Sequence, residues 1–561
     1  MKLVNISKIV LLSGVLAFGS CVPKMPTENV KIKIDTDKLL PYNFSMQFIN
    51  ESNGQAIIDK EVKIEISGKD ADKIYELSGT KSFKVVNGFI NLAIKTASTP
   101  SEANPLEFVI TATADGYLAT TVKLNYTEAE SRTFDIAMIS LANLPASISK
   151  TSTTVSNSGD GLSSDLTVTP AKVSTVNTGM SITIPAGTKF LDASGNTLSG
   201  NFDVNVYYFS PESDALQYTP QGDENGEITV KYKNNQSATY LSTDAACAYI
   251  EITSSNSFVA SFSQPATISM DVHKELVNLE SGNSIVAGDS LEFISRTIAG
   301  PEWNFQKNSI VVDNGGSSFT AVGQFSNTYW VKASFGGKGR ILGKKASSNC
   351  TVKYKFVQSA STCPSTFRLQ SMVWRRSNGA SILGWVAPNL TQNQVVSATG
   401  LNFIYSIPTS IKNAHNPIIR ANPYNLRTNT LGATVSTPSS PSCLINGAYA
   451  TAPALNYTLP AGQSCNPILL TVNINCPSLS VTSIPPIYKK LAGTPATTSW
   501  SPLVFTARGS AFPGQYYVHG LTIGQTYTFK TVYKGKEYTY DQAATGQTMS
   551  LTFTLAASDC P

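Results

Sequence analysis

The residues of this chain that could do chemistry are few and mostly far apart. Its histidines, His273, His415 and His519, are scattered; none belongs to an HExxH pair or stands beside another ligand type at metal spacing. There is no CxxC for zinc or redox work and no G-x-S-x-G elbow for a serine nucleophile. The basic run at 337–345 (GKGRILGKK) misses the spacing of a phosphate loop. It also lacks a Ser or Thr after its lysine and leads into a strand rather than a helix. Asp160 and Asp165, beside Gly159 and Gly161, do not follow the ligand order of an EF-hand, and the acidic stretch 223–227 reads as a surface turn. A carboxylate pair for glycoside hydrolysis is defined by separation in space, so the sequence does not select one. These patterns predict no catalytic residue, no metal ligand and no cofactor.

Cysteine and tryptophan carry more. Six of the eight cysteines follow residue 345: Cys350, Cys363, Cys443, Cys465, Cys476 and Cys560. That usage fits an oxidising compartment and a stapled C-terminal half. Nearness in the chain suggests Cys350–Cys363 and Cys443–Cys465. A Cys476–Cys560 bridge would tie the last domain's start to its end, and other pairings stay open. Cys247, alone in the apolar run AACAYIEI, is expected to be a buried free thiol. Residues 367–376 (FRLQSMVWRR), a turn at Ser377-Asn378-Gly379, and 382–386 (ILGWV) read as a hairpin. Alternation puts Arg368, Gln370, Met372, Trp374 and Arg376 on one face, with Arg375 on the other. Indoles stack on sugar rings and guanidinium groups donate to hydroxyls. Trp374, Trp385, Arg368 and Arg376 are therefore the candidate glycan-binding residues, against the alternative that both tryptophans are core.

The elements that must carry these residues begin with a leader. In residues 1–21 (MKLVNISKIVLLSGVLAFGSC), Lys2 and Lys8 precede an apolar run too short to cross a bilayer, followed by Gly19-Ser20-Cys21. The block resembles a bacterial lipoprotein signal, with Gly19 and Ser20 before the lipid-accepting Cys21 and Phe18 where Leu, Val or Ile is usual. The resemblance implies residues 1–20 removed and the chain held in the membrane by an N-terminal lipid on Cys21. Val22 in place of Asp implies the outer membrane, and which side the protein faces stays open. Ordinary secretory cleavage after Gly19 is the alternative.

Charged residues make up 14% of the chain, and the formal net charge of +5 falls to +3 (5 − 2) without Lys2 and Lys8. That near-neutral balance argues for neither a nucleic-acid partner nor an acidic membrane surface, and no nucleic acid is expected. Low charge with abundant Ser, Thr, Gly and Tyr predicts an all-β fold: several antiparallel β-sandwich domains in series after the signal peptide. The length suggests about three to five domains.

The boundaries read as follows. Residues 21–38 form a tether. Residues 39–146 form a sandwich of about seven strands with turn signals roughly every ten residues. Its FVITATADGY (108–117) resembles immunoglobulin-like and carboxypeptidase-regulatory-like domains. Residues 147–165, rich in Ser and Thr, read as a linker. In 166–300, SITIPAGT (181–188), DASGNTLSG (192–200) and FDVNVYY (202–208) read as a strand, a kink at Pro185, a hairpin turn and a returning strand. That string resembles ZU5-like β-sandwich modules and domains of Bacteroidota-like lipoproteins. Residues 301–470 read as irregular, β-rich and cysteine-containing. In 471–561, Trp500 and the Leu521, Gly524, Tyr527 spacing resemble a fibronectin type III module, which implies a core Trp and a tyrosine corner.

The expectation for function is a lipid-anchored cell-envelope protein acting as a non-enzymatic binding, adhesion or scaffold module. Its partners would be the membrane and a glycan or another envelope protein. An exported carbohydrate-active enzyme with accessory β-domains is the alternative.

Overall fold

The computed structural model describes residues 42–335 and 468–558 apart from short breaks, and within 349–458 the strand backbones alone. The fold is all-β, built from several sheets that are mostly antiparallel.

Seven strands build the first unit: β1 (Tyr42–Asn50), β2 (Lys63–Ser67), β3 (Ile74–Glu76), β4 (Phe89–Ile94), β5 (Leu106–Thr113), β6 (Thr120–Tyr126) and β7 (Arg132–Met138). They form two sheets, β3-β4-β1-β7 and β2-β5-β6, with β1 and β7 parallel. Period-two alternation turns Phe44, Met46, Phe48, Ile90, Leu92 and Ile94 inward against Phe108, Ile110, Leu124 and Tyr126. Asn87 and Gly88 make the two-residue turn into β4. Both have positive φ, 48° and 77°, and Val86 and Phe89 exchange backbone hydrogen bonds across them.

The segment expected to be a linker is instead structural. Ile148–Ser158 pairs over all but its last residue with Gly200–Phe209, from Ile148 opposite Phe209 to Asn157 opposite Gly200. Large apolar residues are not needed here, because the strand lies near a sheet edge and is held by its backbone ladder. Small polar pairs add to it: Ser152 Oγ donates to Asn205 Oδ1 at 2.6 Å and Thr154 Oγ1 to Asp203 Oδ1 at 3.0 Å. The boundary expected at residue 300 also falls inside a unit. Ser290–Arg296, Trp303–Ile310 and Tyr329–Phe335 are neighbours in one ten-stranded sheet with Thr243–Ser254 and Gly200–Phe209. A second sheet, centred on Ser261–His273, packs against it through Ile268, Met270, Ala321, Phe325 and Phe293. The strand–kink–hairpin reading of 181–208 matches the described strands: Met180–Ile184, then Phe190–Leu191, a turn capped by Asp192, and Gly200–Phe209.

In the last unit, Ile468–Asn475 pairs with Gln515–Val518 and, in parallel, with Thr548–Thr554. The opposing sheet holds Tyr488–Leu491, Thr526–Tyr533 and Lys536–Ala543. Tyr527 Oη accepts a hydrogen bond from the Thr522 backbone N–H at 2.9 Å, the local contact implied for a tyrosine corner. Trp500 departs from the expectation: it joins a cluster with Phe89, Ala56, Tyr488 and Val532, at the seam with the first unit.

Candidate functional site

The hairpin expected at 367–386 is present in the backbone. Ser365–Arg375 pairs antiparallel with Ile382–Trp385, setting Trp374 opposite Gly384 and Val373 opposite Trp385. Arg368 lies opposite Asn393 on one neighbour and Tyr424 on the other. The register to Ile418–Asn425 shifts between Gln370 and Val373, which breaks strict alternation along the strand. The side chains of Trp374, Trp385 and Arg368, and all of Arg376, lie outside the described residues, as does Cys21. The same holds for the Cys350 side chain and for Cys363, Cys443, Cys465, Cys476 and Cys560. Cys247 is a buried free thiol on Thr243–Ser254, and burial pushes its ionisation far up, so it is chemically quiet in the folded chain.

Two charged constellations that sequence reasoning passed over lie in well-described parts. The first is inside the ten-stranded sheet. Lys332, fully buried on Tyr329–Phe335, places Nζ 2.7 Å from Asp244 Oδ1 and 4.6 Å from the centre of the Trp303 ring. Asp244 on one neighbouring strand and Glu292 on the other are both paired opposite Ser334. Glu292 accepts the Tyr232 hydroxyl at 3.1 Å and 3.3 Å. Cys247 and Ile294 flank Lys332 in register, and both belong to the core cluster that holds Trp303 and Trp330. The available signal was a lysine in an otherwise apolar strand, YWVKASF, in the same parity as Trp330.

The second constellation is the seam between the first and last units. The outward face of β1 and β4 is covered: Ser45, Gln47, Phe89, Asn91 and Ala93 are all buried. The Phe89 ring lies 4.5 Å from Tyr488 and 6.5 Å from Trp500, centre to centre. Asn91 Nδ2 donates to Val532 O at 2.5 Å, Lys534 N to Glu76 Oε1 at 3.2 Å, and the Tyr488 hydroxyl to Ser45 Oγ. At the centre Lys530 Nζ sits 3.6 Å from the Phe89 ring centre, 4.3 Å from that of Trp500 and 3.4 Å from Glu537 Oε2. Burial lowers the Lys530 ammonium to about 7 despite the pull of Glu537.

No family model matches this chain, and no curated protein matches it. Among solved structures it is similar to a protein described as membrane-associated and of unknown function from Bacteroides fragilis. The identity is 9%, the match covers 53% of this chain and 98% of that one, and the TM-score is 0.12. A second is the major pilin subunit of Bacillus cereus, at 10% identity, covering 74% of this chain and 98% of that one with a TM-score of 0.13. A third is the Bacillus anthracis TIE protein, at 9% identity, covering 88% and 74% with a TM-score of 0.11. At TM-scores this low the likenesses carry no functional argument.

Proposed function

We propose that the chain is a non-enzymatic scaffold or binding protein of a bacterial cell envelope, anchored in the outer membrane by lipid on Cys21. The observation that carries the scaffold reading is the seam. The last unit is seated on the outer face of the first through buried aromatic, hydrogen-bonded and charged contacts. Sheets fastened to sheets in this way hold surfaces at fixed positions. The leader ending at Gly19-Ser20-Cys21 supplies the anchoring half of the reading. On this reading the Trp374 hairpin belongs to the part of the chain that meets a glycan or an envelope partner.

The test is labelled-palmitate incorporation into wild type and Cys21→Ala in a bacterial host with lipoprotein processing. Label in wild type and none in the variant is the expected result; equal label in both would reject the anchor. On the binding side, wild type should retain on a glycan array and Trp374→Ala should lose retention with an unchanged melting temperature. Absence of wild-type binding would reject the glycan.

A further inference from the structure

The buried cluster around Lys332 is an unusual way to use charge. An ion pair taken out of water gains little net stability, and apolar residues of the same volume would fill the space as well. The same arrangement is also that of an amine beside a carboxyl group with water excluded, which is the setting amide formation requires. The two reacting groups are held by neighbouring, fully paired strands, Tyr329–Phe335 and Thr243–Ser254, with Nζ 2.7 Å from Oδ1. Glu292 stands on the strand on the other side of Lys332, opposite the same Ser334 that faces Asp244, and accepts the Tyr232 hydroxyl.

We infer that Lys332 and Asp244 condense into an intramolecular amide that crosslinks these two strands. One proton passes from the ammonium to the carboxylate, leaving a neutral amine and a carboxylic acid. The nitrogen lone pair attacks Cγ, forming the Nζ–Cγ bond. A proton passes from the nitrogen to the departing oxygen, the part assigned to Glu292, which stands on the strand beside that of Lys332. The Cγ–O bond breaks and water leaves. The balance is R–NH2 + HOOC–R′ giving R–NH–CO–R′ + H2O, with Glu292 returned to its starting state. No oxidant, metal or nucleotide is consumed. The product keeps an N–H and a carbonyl in place of two buried charges, and the adjoining sheet face of Cys247, Ile294, Trp303 and Trp330 shields it from hydrolysis.

Peptide mapping of the full-length protein tests this. Wild type is denatured, reduced, digested and sequenced by mass spectrometry. The expected product is a branched peptide joining the Asp244 and Lys332 segments, with the summed mass of the two less one water. Asp244→Asn should give a branched peptide of the same mass, because ammonia leaves instead of water. Glu292→Gln keeps both reacting groups and should give unlinked peptides from a protein whose circular dichroism is still that of a β fold. Recovery of only free Asp244 and Lys332 peptides from wild type overturns the crosslink. Linkage in Glu292→Gln at wild-type yield overturns the part given to Glu292.

Discussion

Single residues in this protein are set by what lies on the opposite sheet. Gly323, on Ser318–Asn327, is a glycine because of Phe293: a Cβ at 323 would lie 2.2 Å from Phe293 Cγ. Gly323→Ala should cost about 1–3 kcal/mol by overpacking. In a Phe293→Leu background the added cost should shrink, since the two changes share one space. Thermal unfolding of the two single variants and the double variant reads this out, and strict additivity would reject the contact. Lys530 belongs to the same scale. Its folded-state value is about 7 and its ordinary value 10.5, so between those pH values the unfolded chain binds the extra proton. Stability should therefore rise with pH across that window and level off below it, where both states are protonated. The penalty relieved is on the order of 5 kcal/mol as a ceiling, since the displacement from 10.5 to about 7 is worth about 1.4 kcal/mol for each pH unit and already includes the pull of Glu537. Lys530→Met should melt higher at neutral pH and lose the rise; a variant with the wild-type slope would show that another group is responsible.

At the scale of strands and turns, much was legible. The alternation of Val62-Lys63-Ile64-Glu65-Ile66 and of 108–112 marks strands because one face must meet a core. Asn87-Gly88 marks a hairpin because only such residues take two successive positive φ values cheaply. Gly88→Ala should cost about 1–3 kcal/mol, since φ is 77° and the new Cβ would lie 2.9 Å from Ile57 O. A melting temperature within error of wild type would contradict that. Ile148–Ser158 was not legible as a strand. Its small polar side chains give no apolar period, and what orders it is a ladder with residues some fifty positions away. The sheet that runs through residue 300 was hidden for the same reason: pairing partners far apart in sequence leave no local mark. Lys332 and Asp244, 88 residues apart (332 − 244), meet only through register, so the chemistry proposed for them could not be read from spacing.

For the whole molecule, the decisive feature is that the first unit serves as a hub. Its sheet is extended through β7 by Thr391–Val396, its outer face is covered by Tyr488 and Val532, and Leu118 and Ile139 join the core cluster of Tyr207, Trp303 and Trp330. The sequence concealed this because Ser45, Gln47 and Asn91 alternate with core residues as a solvent-facing row would. Phe89→Ala removes the ring shared by Tyr488, Trp500 and Lys530, and should weaken the seam by about 3–5 kcal/mol. Calorimetry should then show the last unit unfolding as a separate, lower transition, whereas an unchanged trace would mean that the seam does not couple the units. The polar character of the hub's outer face also matters in time. Synthesis completes the first unit at Met138, long before Tyr488 exists, and the N-terminal part of a chain folds first. A purely greasy face would stand bare throughout that interval and invite other chains. A row of Ser45, Gln47, Asn91 and Asp135 around the single ring of Phe89 can wait in water, and acquires its dry partners only when the last of the chain arrives.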